Sequence, residues 1–153
     1  MRSLIAFCAA FFFFGTAAAA EPVSLNSEVF IEREVKKADG TSEVKLEAPK
    51  VVLPGDKLAF VLAYKNSGST PAADLDVTNP IPESVQYVSA EGDAVVSVDG
   101  GKSWGVLQSL TIAAPDGKSR PAVAADVTHV RWKFREAVPA GKGGKLTFRA
   151  SVK

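Results

Sequence analysis

The chain has 153 residues, with 18 basic and 17 acidic side chains, one histidine and one cysteine. So even a balance excludes recognition of nucleic acid or anionic lipid through a global basic field. One cysteine excludes an intramolecular disulfide framework, and one histidine with one cysteine cannot build an ordinary zinc or copper site.

Met1-Arg2-Ser3 gives a positive start, Leu4 to Phe14 is unbroken apolar sequence, and Gly15-Thr16 leads into the small residues Ala17 to Ala20 before Glu21. This is the three-part layout of a cleavable secretory signal peptide over residues 1–20. A membrane-crossing helix needs roughly 20 apolar residues, so a retained anchor is the weaker reading. Cys8 lies inside the apolar run rather than after it, which argues against lipidation. Cleavage would remove Cys8, Met1 and Arg2, leaving 17 basic against 17 acidic residues in 21–153 and no membrane span. The mature chain is expected in the periplasm or at the cell surface, stabilised by a packed core, for which its length suffices.

Residues 28 to 36 alternate Glu28, Phe30, Glu32 and Glu34 against Val29, Ile31, Arg33 and Val35, which predicts a strand with one drier face. Asp39-Gly40 predicts a hairpin, since both residues tolerate positive φ, and Val44 and Leu46 continue the return strand. Pro54-Gly55-Asp56 turns the chain into residues 57–66, where Leu58, Phe60, Leu62 and Tyr64 share a face. After the loop Asn66-Ser67-Gly68-Ser69, Leu75 to Asn79 reads as a short strand stopped by Pro80 and Pro82. Val85 and Tyr87 begin the next strand and Ala94 to Val98 form another. Residues 113–125, with two prolines, a glycine and no period, read as a long loop.

Two strands finish the chain. In one, Val130, Trp132 and Phe134 face inward; in the other, Leu146, Phe148, Ala150 and Val152 do. Trp132, Phe148, Phe60 and Leu62 are the expected heart of the core. Short strands with turn signals every 8 to 12 residues, and no helical period, predict an all-β, immunoglobulin-like two-sheet β-sandwich as one domain over 21–153.

Catalysis finds little support. His129 lies on a strand between Thr128 and Val130, with no nucleophile elbow in the chain, so no catalytic residue and no enzyme activity are expected. No cofactor-binding residue is expected either. Carboxylates alone could hold calcium, and Asp74, Asp76, Asp93 and Asp99 are the candidate ligands, but no EF-hand spacing occurs, so no metal is expected.

Ser97-Val98-Asp99-Gly100-Gly101-Lys102-Ser103-Trp104 resembles the Asp-box of sialidases and related propellers at Ser97, Asp99, Gly101, Ser103 and Trp104. A carboxylate accepting from turn amides, glycines at positive φ and an aromatic folded back make that string a structural hairpin. It occurs once, in a chain too short for a propeller, so it implies a hairpin rather than sugar cleavage.

Charge is unevenly distributed. Residues 21–87 hold 7 basic and 11 acidic side chains; residues 88–153 hold 10 and 6. Arg131, Lys133, Arg135, Lys145 and Arg149, with Lys153, lie on the outward faces of the last two strands and form a candidate interaction face if those strands are neighbours. The alternative is internal pairing with Glu28, Glu32 and Glu34.

Val52-Leu53-Pro54-Gly55-Asp56-Lys57-Leu58-Ala59-Phe60, Tyr64-Lys65-Asn66-Ser67-Gly68, and Leu75-Asp76-Val77-Thr78-Asn79-Pro80-Ile81-Pro82 followed by Tyr87-Val88 together resemble the conserved-repeat envelope domain catalogued as domain of unknown function eleven. The resemblance covers roughly residues 50–90. It implies an Ig-like fold in bacterial surface, wall or periplasmic proteins, serving as a building or adhesion module. Here the pattern occurs in a single copy. The function expected is an exported, non-catalytic envelope module acting through contact with a protein partner of unknown identity and in an unknown oligomeric state, with no nucleic acid involved. Two alternatives stand beside it: a strand-exchanging assembly factor or subunit using edge strand 28–36, and a carbohydrate-binding module using Trp104 and Tyr87.

Overall fold

The computed structural model describes residues 23–113 and 117–153, so the expected signal peptide lies outside the described residues. Ten strands follow in chain order: β1 (Val23–Lys36), β2 (Ser42–Glu47), β3 (Lys57–Asn66), β4 (Asp76–Pro80), β5 (Val85–Ala90), β6 (Val95–Ser97), β7 (Thr111–Ala113), β8 (Ser119–Pro121), β9 (His129–Lys133) and β10 (Gly143–Val152). No α-helix occurs among the described residues; single 3₁₀ turns occupy Leu107–Ser109 and Ala124–Asp126.

The strands form an antiparallel sheet in the order β2-β1-β3-β10-β5, a second in the order β4-β9-β6, and a small β7-β8 hairpin. This is the all-β sandwich that the alternation predicts. Of the inward sets named from sequence, Leu58, Phe60 and Leu62 on β3, Val130 and Trp132 on β9, and Phe148 and Ala150 on β10 are buried in the core, while Tyr64, Phe134, Leu146 and Val152 are half-buried. On the central strand β3 the opposite face is buried as well, at Ala59 and Val61. Phe60 and Phe148, register partners on neighbouring strands, stack with centroids 4.5 Å apart. Trp132 meets Phe148 from the opposing sheet at 6.5 Å and donates its indole N–H to the Glu91 carbonyl at 2.8 Å. Burying each such ring contributes about 1.5–3 kcal/mol, which lets a domain of this size hold together through its core.

Two expectations about layout are corrected. Residues 113–125 are not one long loop: β7 and β8 pair with Thr111 opposite Pro121, and Asp126 ties down the turn that follows. More consequentially, β9 and β10 are not neighbours. β9 lies between β4 and β6 in the small sheet, and β10 between β3 and β5 in the large one. Trp132 and Phe148 face each other across the core, so the polar faces of their strands point to opposite sides of the molecule.

The two sheets are unequal, and this decides what the fold leaves open. Three strands cover five, and the overhang falls on β1 and β2. Every residue of β2 is exposed. Leu25 and Val29 share the inward parity of buried Ile31, yet remain 49% and 36% exposed. On the opposite flank, the chain closes the sandwich itself. The 3₁₀ turn Leu107–Ser109 packs by β6 and the turn Ala124–Asp126 by β5. Main-chain bonds Val96–Gly105 and Ala122–Leu110 hold that cover in place.

Candidate interaction edge

β1 is longer than the sequence pattern suggests. Its register with β3 runs from Val23 opposite Asn66 to Ile31 opposite Leu58, and its register with β2 runs from Ile31 opposite Glu47 to Lys36 opposite Ser42. The two partners lie on opposite sides of β1. From Val23 to Phe30 the side facing away from β3 therefore has no strand upon it among the described residues.

Which main-chain groups line that open side follows from the hydrogen bonds at both ends. Lys37 donates to the Thr41 carbonyl at 2.7 Å, which makes Lys37 and Thr41 a bonded pair. Pairs alternate along an antiparallel ladder, so Val35, Arg33 and Ile31 also direct their N–H and C=O groups toward β2. At the other end, the Asn66 N–H donates to Lys142 and its carbonyl accepts from Gly141, both away from β1. Val23, opposite Asn66, must therefore point its own groups outward. Both ends agree: Val23, Leu25, Ser27 and Val29 present unpaired N–H and C=O groups to the open edge, and Ser24, Asn26, Glu28 and Phe30 bond β3.

Sheet edges of this kind are ordinarily protected by lysine, proline, bulges or a covering segment. Between Val23 and Phe30 there is one charge, Glu28, no lysine, no proline and no break in register. The β4 edge of the small sheet, on the same flank, is better guarded, being five residues long and ending in Pro80. Between the two edges runs an open groove of about 580 Å³, lined by Val23, Leu25, Leu75 and Val77 with Ala72, Ala73 and the carboxylates Asp74 and Asp76.

Asn66 shapes the wall of this groove. Its side chain is fully buried, donates to the Thr70 and Val138 carbonyls at 2.8 Å each, and accepts from the Gly68 N–H at 2.9 Å. With the Ala72–Val138 main-chain bridge, this amide pins residues 67–72 beside the start of β1.

The residues named from sequence are distributed elsewhere. The basic face divides: Arg131 and Lys133 lie on the outer side of the small sheet, Lys145 and Arg149 on the outer side of the large one. Arg149 donates to Glu32 at 2.7 Å and to Glu91 at 2.9 Å, and these carboxylates raise its already high pKa. Internal pairing thus holds for Glu32, with Arg149 as its partner. Arg135 meets Asp93 at 3.3 Å, fully in solvent. Arg131 lays its guanidinium 4.1 Å over the Trp104 ring, and His129 meets the same ring edge-on at 6.3 Å. A cation–π contact with Arg131 thus covers one face of the Trp104 ring.

The Asp-box string forms its hairpin. Asp99 accepts from the Lys102 and Ser103 N–H groups and from the Ser103 and Ser97 hydroxyls, while the Gly101 N–H donates to Ser97 Oγ at 2.8 Å. The Ser103 hydroxyl and amide, followed by the Ser97 hydroxyl, hold the Asp99 carboxyl well below the usual range. Gly101 has φ +86°, and a Cβ added there would meet the Trp104 ring at 3.5 Å. The side chains of Ser97, Asp99 and Ser103 are spent on the turn, and the Gly100 N–H and Ser97 carbonyl tie it to Thr128. Among the described residues no group of three or more His, Cys, Asp or Glu side chains could hold a metal.

No family model, no curated protein and no solved structure matches this chain.

The sequence reading placed an edge at 28–36 but missed Val23 to Ser27, the greater part of the open edge. Val23 and Leu25 do alternate with Ser24 and Asn26, and the period continues into Val29. That alternation is the signal by which the longer strand can be found.

Proposed function

We propose that this chain is an exported, non-catalytic envelope module that works by protein–protein contact, and that the contact is made by strand pairing along the open β1 edge. One observation carries the reading. The turns Leu107–Ser109 and Ala124–Asp126 cover one flank of the sandwich, whereas the other flank keeps four pairs of main-chain groups unpaired among the described residues, beside an open groove. Main-chain groups at an edge bind an extended segment generally, and the adjoining groove supplies side-chain preference. The signal-like residues 1–20 and the local resemblance to envelope repeat domains support the compartment.

Ser27→Pro tests the site. Its N–H points to the open edge, so proline removes one edge donor and leaves the β3 ladder intact, as edge prolines do. In cells carrying the variant, chemical crosslinks that join the native protein to other envelope chains should be lost, with export and melting temperature retained. Unchanged crosslinks with a folded, exported variant would refute the edge as the contact site.

A further inference from the structure

We propose that the occupant of the β1 edge is β1 of a second copy, paired antiparallel about a two-fold axis through Asn26. This rests on the reading of β1 as a binding edge and names its partner.

The open edge has its own centre. The outward groups belong to Val23, Leu25, Ser27 and Val29, and beyond them Ile31 is already bonded to β2. An antiparallel partner can bond only where both strands present outward groups, so odd residues must face odd residues. The register that uses all four positions places Val23 opposite Val29 of the second copy and Leu25 opposite Ser27, with Asn26 opposite itself. It forms about eight main-chain hydrogen bonds, two for each of four pairs. Shifting the axis by one residue to Ser27 would drive Val23 against Ile31, whose edge β2 occupies. Shifting it the other way sets Val29 opposite position 21, outside the described residues, and leaves it no partner among them. Among the described residues, the register about Asn26 is the one that uses all four outward positions.

The side chains fit that register. Val23 meets Val29 on the groove side, covering apolar surface that the small sheet leaves bare. The two Asn26 amides face each other and can exchange hydrogen bonds. Glu28, the one charge in the segment, faces Ser24, so no like charges oppose one another. Two five-stranded sheets become one continuous ten-stranded sheet with both vulnerable edges consumed, which answers the lack of protection on each.

Sedimentation equilibrium of the purified mature protein, with and without Ser27→Pro, reads the association. A dimer is expected for the native chain. Ser27→Pro removes two symmetry-related donors and should raise the dissociation constant about tenfold or more. Disulfide trapping checks the register in a Cys8→Ser background, which leaves no other thiol. Asn26 pairs with itself at a non-bonded position, where Cα atoms lie about 4.5 Å apart and a disulfide closes. Asn26→Cys should oxidise to a covalent dimer. Ser24→Cys places its thiol about 13 Å from its symmetry mate and should not. A monomer at every concentration, a dimer indifferent to Ser27→Pro, or equal trapping by both cysteines would overturn the proposal. If self-association fails yet Leu25 still crosslinks to a different envelope protein, the edge reading survives and only the identity of the partner falls.

Discussion

Replacing Asn66 with alanine should cost about 3 kcal/mol, although position 66 reads from sequence as the first residue of a polar loop. The side chain is fully buried and makes three hydrogen bonds, to Thr70 O, Val138 O and Gly68 N–H. At a net ~0.5–1.5 kcal/mol each, the three sum to about 1.5–4.5 kcal/mol, and because the Val138 carbonyl keeps its bond from the Ala72 N–H the middle of that range is expected. With a urea slope near 1–2 kcal/mol/M, the midpoint should fall by about 2 M with the slope unchanged. Asn66→Asp separates the donors from the acceptor. It keeps the acceptor for Gly68 but turns a carboxylate toward two carbonyl oxygens, so its cost at neutral pH should exceed that of alanine. Burial raises the folded-state pKa of such a carboxyl, so stability is highest below the unfolded value and falls as pH rises toward the folded one. The aspartate variant should therefore recover on acidification and the alanine variant should not. A loss below about 1 kcal/mol for Asn66→Ala would mean that water satisfies those carbonyls and that the groove wall is not pinned by the amide.

Four further outcomes follow from the packing and charge. Trp132→Ala should cost about 3–5 kcal/mol in a denaturant melt, since the indole is buried against Phe148; a loss under 1 kcal/mol would reverse the assigned strand faces. Gly143→Ala should cost about 1–3 kcal/mol, because a Cβ there collides with the Tyr64 carbonyl on the neighbouring strand; full retention of the melting temperature would contradict that packing. A double-mutant cycle on Glu32 and Arg149 should show coupling of about 0.2–1 kcal/mol, and one on Glu32 and Arg131 none, because Arg131 lies on the opposite outer face. The bidentate Arg120 contact, aided by the Val123 amide, lowers the Asp126 carboxyl to about 2. With the folded value depressed, its stabilisation is present above the unfolded value near 3.8 and is lost as pH falls toward 2. NMR titration of the Asp126 side chain should show that midpoint, and a midpoint near 3.8 would mean that the pair is open in solution.

Much of the fold was legible because its signals are local. Alternation named the core-facing residues of β3, β9 and β10, and the Asp-box string named a turn whose Ser97, Asp99 and Ser103 side-chain bonds lie within seven residues. What escaped was long-range. Nothing in the period of Trp132 or Phe148 tells whether their strands lie side by side or face to face; both arrangements give the same alternation, yet they place Arg131 and Arg149 either together or on opposite surfaces. The open edge escaped for a related reason. It exists because β2 pairs with only the second half of β1 and because the small sheet stops short of it, and neither pairing length is written in residues 23–30. Asn66 escaped because asparagine in a loop and asparagine buried beneath one read alike until the Val138 carbonyl, 72 positions away, is brought to it.

The central claim is that contact occurs along β1 and not on the covered flank. A photo-crosslinking amino acid placed at Leu25, and separately at Val106 on the covered flank, puts that to the test in intact cells. Both side chains are exposed, at 49% and 56%, so accessibility does not distinguish them. The account predicts discrete crosslinked species from position 25 that disappear with Ser27→Pro, and none from position 106. Crosslinks from position 106 alone would contradict it.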